Sequence, residues 1–519
     1  MTEKFNPLHN FKYDVPAAIV VFLVALPLCL GVAVASGATP FAGIIAGVAG
    51  GIVTGLISRS PLSVSGPAAG LTTIVLAAIQ GLPSYEAFLV SVFLAGCFQI
   101  VLGFLKAGII GDFIPNSAIK GMLAAIGIIL ILKQIPHALG YDKDYEGDFY
   151  FAQSDGENTF SELLHLIDRH FTPGAIVVSL ISIAFLFWWD STPLRRRNRF
   201  LQLLPGPLIV VVFGVVMNEV FRATMPTLVI EAEHLVGLPT FASFGALAES
   251  LHFPDFSMVA HPAVWQSALT IGLVASMESL LSIEAVDKLD PYKRVTPTNR
   301  ELMAQGAGNI SSSLLGGIPV TSVIVRSSAN VGSGGRTQAA TILHGVLLMI
   351  CVLSIPVLLN KIPLSALAAV LITTGYKLAK PGIFMEKYRK GWSHLLPFVI
   401  TILAILFTDL LKGVLIGSVV SAFFIVYNNY KSAITVTCHE NTWLVRFHKG
   451  LSFIHKYEVK QTLKNIPNDA AVIIDMRQTN FVDLDNVEII RDFVQNARYR
   501  NIAVEYEFAK NSAVERWFQ

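Results

Sequence analysis

Apolar stretches of about 17 to 25 residues recur from Val15 to Val426, and each is long enough to cross roughly 30 Å of hydrocarbon. Few water-soluble arrangements tolerate so many. Only 14% of the 519 residues are Asp, Glu, Lys or Arg, while 53% are hydrophobic, against about 25% charged in ordinary soluble domains. The reading is a polytopic α-helical membrane protein with spans near 15–35, 41–57, 66–80, 86–105, 118–138, 173–190, 203–221, 264–285, 301–316, 319–332, 338–356, 364–379, 392–409 and 411–427. The Ala33-Val34-Ala35 end of the first stretch resembles a signal-peptidase site, but the hydrophobic segments that follow make it a span. An even count of fourteen puts both termini on one side. That side is cytoplasmic, because Arg195–Arg197 with Arg199, the Lys288 to Arg300 segment and the Lys380 to Lys390 segment all fall there, whereas the acid-dominated Asp142–Asp168 loop falls opposite.

Two of the segments are interrupted. Ser63-Val-Ser-Gly-Pro-Ala-Ala-Gly70 leads into the third span and Gly316-Gly-Ile-Pro-Val-Thr-Ser322 into the tenth. Their prolines, Pro67 and Pro319, lie 252 positions apart, and the first and eighth spans begin about 249 apart, as a duplicated unit of seven spans requires. An odd number of spans per unit inverts one half against the other, so the two breaks face each other near the bilayer midplane. Free backbone N–H groups and the positive ends of two half-helices then converge in a low-dielectric setting and attract an anion. One such break alone reads as a kink in packed helices. A matched pair at the repeat spacing reads as a binding site.

Other function classes find little support. A net charge of +2 gives no nucleic-acid footprint, and Cys29, Cys97, Cys351 and Cys438 have neither disulfide nor metal spacing. No nucleophile–base set, metal cluster or phosphate loop marks an enzyme, and no cofactor is expected. Beyond about Tyr430 the composition changes. Trp443–His448, Ala470–Asp475 and Ile502–Phe508 read as strands, with amphipathic helices at His455–Asn465 and Asp485–Arg498. The expected organisation is a cytoplasmic N-terminus (1–14), a transmembrane domain (15–429, with repeats 15–221 and 264–429) and a small cytoplasmic α/β domain (430–519).

Five motifs carry a more specific resemblance: Pro61-Leu-Ser-Val-Ser-Gly-Pro-Ala-Ala-Gly70, Phe113-Ile-Pro-Asn-Ser-Ala-Ile-Lys-Gly121, Met277-Glu-Ser-Leu-Leu-Ser282, Asn299-Arg-Glu-Leu-Met-Ala-Gln-Gly306 and Gly317-Ile-Pro-Val-Thr-Ser-Val-Ile-Val-Arg326. In order and spacing they resemble the SulP sulfate-permease family, and the tail is similar to a shortened form of its STAS domain. The resemblance implies a seven-plus-seven inverted repeat with core and gate domains, elevator-like movement, a homodimer in the cell membrane, and transport of small inorganic anions such as sulfate, bicarbonate or chloride. It implies an anion seat at the backbone of Ala68, Ala69 and Gly70 and of Thr321, Ser322 and Val323, with Arg326 adding positive field. Glu278 and Ser282, one turn apart on the eighth span, match positions that help hold sodium in bicarbonate transporters of the family. Glu in place of Asp and Ser in place of Thr leave sodium, a proton, or an ion pair with Arg326 open. Val323 and Val325 replace serines common in the tenth span, and Leu28 a common Gln, so fewer side chains donate hydrogen bonds. The competing readings are a nucleobase-type proton symporter of the same fold and a membrane sensor without transport.

Overall fold

The computed structural model describes residues 7–67, 69–142, 171–192, 201, 204–240, 245, 249–430, 434–448, 450–509 and 514–518. Ala68, most of the acidic Asp142–Asp168 loop and the Arg195–Arg199 cluster lie outside them. The chain divides into two compact units, Met1–Ser418 and Val419–Gln519.

A helix lies at each of the fourteen segments expected to span. Eight are at least 18 residues long and apolar enough to cross a membrane: α1 (from Pro7 to Ala35), α2 (Pro40–Ser58), α4 (Tyr85–Phe104), α5 (Asn116–Ala138), α6 (Pro173–Ser191), α7 (Gly206–Thr224), α8 (Pro262–Leu289) and α15 (from Leu410). Shorter helices fill the remaining positions: α3 (Thr72–Gly81), α9 (Thr298–Leu314), α10 (Ile324–Gly332), α11 (Ala339–Ser354), α12 (Leu364–Leu378) and α14 (Trp392–Phe407). An additional helix, α13 (Pro381–Arg389), forms in what reads from sequence as a basic loop; Pro381 at its first position and Lys387 and Arg389 in its last turn are favourable helix-end residues.

The packing repeats itself. Helix α1 lies on α11 as α8 lies on α4, and α14 lies on α5 as α6 lies on α12. Each first partner and its counterpart occupy equivalent places in the two halves. Glycine crossings mark the same relation. Gly127 of α5 and Gly375 of α12 face each other so closely that a Cβ on either would lie 2.5 or 2.6 Å from the other's carbonyl oxygen. Gly96 of α4 meets Gly306 of α9 in the same reciprocal way, and Gly51 of α2 meets Gly345 of α11. Residues 127 and 375 are 248 positions apart, 96 and 345 are 249, and 51 and 306 are 255, so the contacts recur at the repeat length. This bears out the inverted-repeat fold.

The breaks themselves are short strands. β1 (Ser65–Pro67) pairs antiparallel with β2 (Val320–Ser322), Ser65 opposite Ser322 and Pro67 opposite Val320. Irregular backbone at this depth survives in lipid only if protein groups satisfy it. Helix α9 supplies several, which explains its polar composition within an apolar domain. The Asn309 amide accepts from Val320 N at 2.6 Å and donates to Val320 O at 3.0 Å and Gln99 at 2.7 Å. Gln305 donates to Ser65 at 2.7 Å. From the second half, Asn330 and Thr341 donate to the carbonyls of Leu62 and Ser63, and Ser327 accepts from Val64 N.

The second unit is a four-stranded sheet ordered β3 (Ile434–His439), β4 (Thr442–Phe447), β5 (Ala471–Asp475), β6 (Ala503–Glu507); β3 and β4 form a hairpin, and β4, β5 and β6 run parallel. Crossover helices α16 (Lys456–Lys464) and α17 (Leu484–Ala497) cover a core of Val445, Phe447, Val472, Ile474, Val459 and Ile490. Strands β4 to β6 and both helices match the sequence expectation. Strand β3 does not appear in it, although its Ile-Thr-Val-Thr run carries the β-branched signature. Asp475 closes β5 against Arg446 at 2.7 Å and Arg477 at 2.8 Å.

Candidate functional site

Each strand of the β1–β2 pair runs directly into a half-helix: β1 through a turn at Ala69–Leu71 into α3, and β2 through Val323 into α10. Their first turns carry N–H groups with no partner inside the helix. Ala69 and Gly70 from the first and Val323, Ile324 and Val325 from the second line one cavity of about 70 Å³. Its opposite wall is apolar, with Ile126 and Ile129 from α5 and Ile405, Leu410 and Leu411 from the α14–α15 junction. The hydrophobic wall has no sequence signature that separates it from lipid-facing or core residues.

Polar side chains in the cavity are few: Glu278, Ser282 and Asp409. Glu278 and Ser282 do share a face of α8, as their spacing requires. The Glu278 carboxylate accepts from the Gly70 N–H, and a methyl on Gly70 would stand 2.7 Å from its Oε1. Its Oε2 is buried without a hydrogen-bond partner. Glu278 is 9% exposed, so its charge faces the cavity rather than bulk solvent. Asp409 escaped the sequence reading because it sits at a boundary between two apolar runs; it caps α15, accepting from Lys412 N at 2.8 Å, and pairs with the Lys412 ammonium at 2.9 Å.

Arg326, Thr321 and Ser322 are fully buried and do not line this cavity. Ser322 shares its hydroxyl with Ser63 at 2.5 Å, and its N–H donates to Ser279 Oγ at 3.2 Å. Arg326 is packed against β1 instead. A methyl on Gly66 would collide with its guanidinium, and its Nη2 donates to Cys29 Sγ at 3.3 Å. Its Nε and Nη1 have no hydrogen-bond partner, and no ion pair joins it to Glu278 or another carboxylate among the described residues. Arg326 and Glu278 are therefore not paired with each other. Ala68 lies outside the described residues. Among those described, no cluster of His, Cys, Asp and Glu is placed to hold a metal ion.

Known proteins resemble the chain in sequence and in fold. The bicarbonate transporter BicA of Picosynechococcus sp. is 27% identical over 71% of this chain and 62% of its own length. The sodium-independent sulfate anion transporter of Bos taurus is 26% identical over 83% of this chain and 72% of its own. In fold, the chain resembles the murine solute carrier 26 family member A9 anion transporter solved in the inward-facing state, with a TM-score of 0.67 at 15% identity, covering 95% of this chain and 85% of that one. A profile of the sulfate permease family matches residues 11–401, three quarters of the sequence and both broken segments. This multi-pass membrane protein belongs to the sulfate permease family.

Proposed function

We propose that the chain carries a small inorganic anion, sulfate or bicarbonate, across the cell membrane, seating it in the cavity between the Ala69–Gly70 and Val323–Val325 half-helix starts. The observation that carries this reading is the convergence of both half-helices on one space. Their N-terminal dipole ends each act as about half a positive charge. The Arg326 guanidinium, packed against β1 without a carboxylate partner among the described residues, adds field of the same sign in a medium that screens it weakly. Thr321 and Ser322 hold the strand geometry rather than touch the anion. The Gly70 N–H is taken by Glu278 and the Val323 N–H by Val64 O at 2.9 Å, so the remaining amides of the two half-helix starts are the principal donors and the seat suits a compact oxyanion.

Glu278 makes the reading more definite. An ionised carboxylate beside a bound anion opposes binding, and burying it unpaired costs several kcal/mol. A proton on Glu278, or sodium between Glu278 and Ser282, removes both penalties. The anion and one cation therefore bind together, and the cation is the coupling ion. Movement of the core helices against the α5–α7 and α12–α15 helices exposes the loaded site to each side in turn, with both termini in the cytoplasm and two copies of the chain associated as a dimer.

The test is uptake of labelled sulfate and bicarbonate by liposomes holding the purified protein, with and without a sodium or proton gradient. One gradient should accelerate uptake, and Glu278→Gln should abolish that acceleration. Gradient-driven uptake that survives unchanged in Glu278→Gln removes the coupling role, and binding of an anion with no flux favours a sensor over a transporter.

A further inference from the structure

The connection between the two repeats is pinned by a buried histidine–carboxylate cluster well away from the cavity. Asn218 of α7 holds Ile230 through both backbone groups, at 3.1 and 2.9 Å. Val236 N donates to Ile362 O at 3.0 Å, and Leu238 is gripped by the Asn360 amide at 2.7 and 3.0 Å. Between these anchors lies His234. Its Nδ1 is 2.6 Å from one Asp142 oxygen, while His137 Nδ1 of α5 is 2.5 Å from the other. The Asp142 side chain is 4% exposed, and the two histidines 15% and 4%.

Donor counting identifies the state that completes this cluster. Thr172 Oγ1 lies 3.2 Å from Gly140 O and 3.1 Å from His234 Nε2. Gly140 O can only accept, so it takes the single hydroxyl proton, and His234 Nε2 must then donate to the threonine oxygen. Because Nδ1 already faces a carboxylate, every contact is satisfied only when both ring nitrogens carry protons, that is, when His234 is an imidazolium. A neutral ring loses either the Thr172–Gly140 bond or the one to Asp142.

We propose that His234, Asp142, His137 and Thr172 form a proton-binding clamp that fastens the inter-repeat linker to the end of α5, and that the linker loosens when the proton leaves. The clamp borders a pocket of about 180 Å³ between α1–α2 on one side and α5 and α12 on the other. It thus sits where the two helix groups meet. Among the described residues, the charged and titratable groups facing His234 are Asp142, Glu233, Glu231 and, through Asp142, His137; the walls from α1, α2 and α12 contribute none. All the acids favour the imidazolium. The hydrogen bond to Asp142 raises His234 above the ordinary imidazole value, against the opposing effect of burial. Burial pushes Asp142 up, but the two histidine hydrogen bonds outweigh it and hold the carboxyl low. The sign follows: the clamp is complete below about pH 6.5 and is lost as pH rises through the elevated His234 value.

Hydrogen exchange of the full-length protein in lipid, expressed as protection factors so that intrinsic pH effects cancel, tests this without any transport measurement. Amides of residues 229–238 should be protected near pH 6 and lose protection as pH is raised through the elevated His234 value. His234→Gln should flatten that profile, and Thr172→Val, which keeps the histidine but removes the Nε2 acceptor, should shift the midpoint to lower pH. A flat profile in the unmodified protein, or an unchanged fall in His234→Gln, overturns the clamp.

Discussion

Gly70 shows how one atom can matter at the residue scale. Its N–H reaches the Glu278 carboxylate only because no side chain stands between them. A methyl there displaces the carboxylate or the half-helix start, and such overpacking costs about 1 to 3 kcal/mol. Gly70→Ala should therefore lower anion uptake by about tenfold or more while the protein remains folded; tracer uptake set against the elution profile in detergent checks this. Glu278 was legible in the sequence because an acid inside an apolar span stands out. Ser282 followed from helical spacing. Asp409 was not legible, since an acid at a span boundary looks like any helix-end charge. Arg326 was legible as a buried cation, but its contact with Gly66 depends on the route of β1, which no spacing rule supplies.

Helix crossings carry the argument at the scale of elements. The Gly127–Gly375 contact lets α5 and α12 approach to backbone contact, so a Cβ at either site forces the pair apart. Gly127→Ala should destabilise by about 1 to 3 kcal/mol, read as a lower unfolding temperature in detergent. Adding Gly375→Ala should cost less than its single effect, because one separation relieves both clashes. Gly81, at the end of α3 with open space around it, is the control: Gly81→Ala should leave stability within about 1 kcal/mol of the parent. Sequence reading located the helices because their apolar runs are long. The tenth span, read as 319–332 behind a Gly/Pro break, opens instead on β2 before α10, because a three-residue strand has too few residues for a pattern. The helix α13 was hidden by its charge, and β3 by its position at a composition change.

For the whole molecule, duplication was the most legible property. The 252-residue spacing of Pro67 and Pro319 anticipates both the antiparallel strand pair and the three reciprocal glycine crossings. Inversion turns two unremarkable breaks into one site, because only opposed halves aim two helix starts at a common space. What the sequence could not show is the volume left between them, which depends on how closely the α5, α14 and α15 side chains approach.

That volume gives the most direct test of the central claim. Val323 borders the cavity at the start of α10, and Val323→Phe adds bulk into it while leaving the Glu278 and Arg326 side chains unsubstituted. Labelled sulfate and bicarbonate uptake should both fall to the protein-free background, while Val323→Ala retains uptake. Undiminished uptake by correctly folded Val323→Phe would place the anion elsewhere and contradict the account.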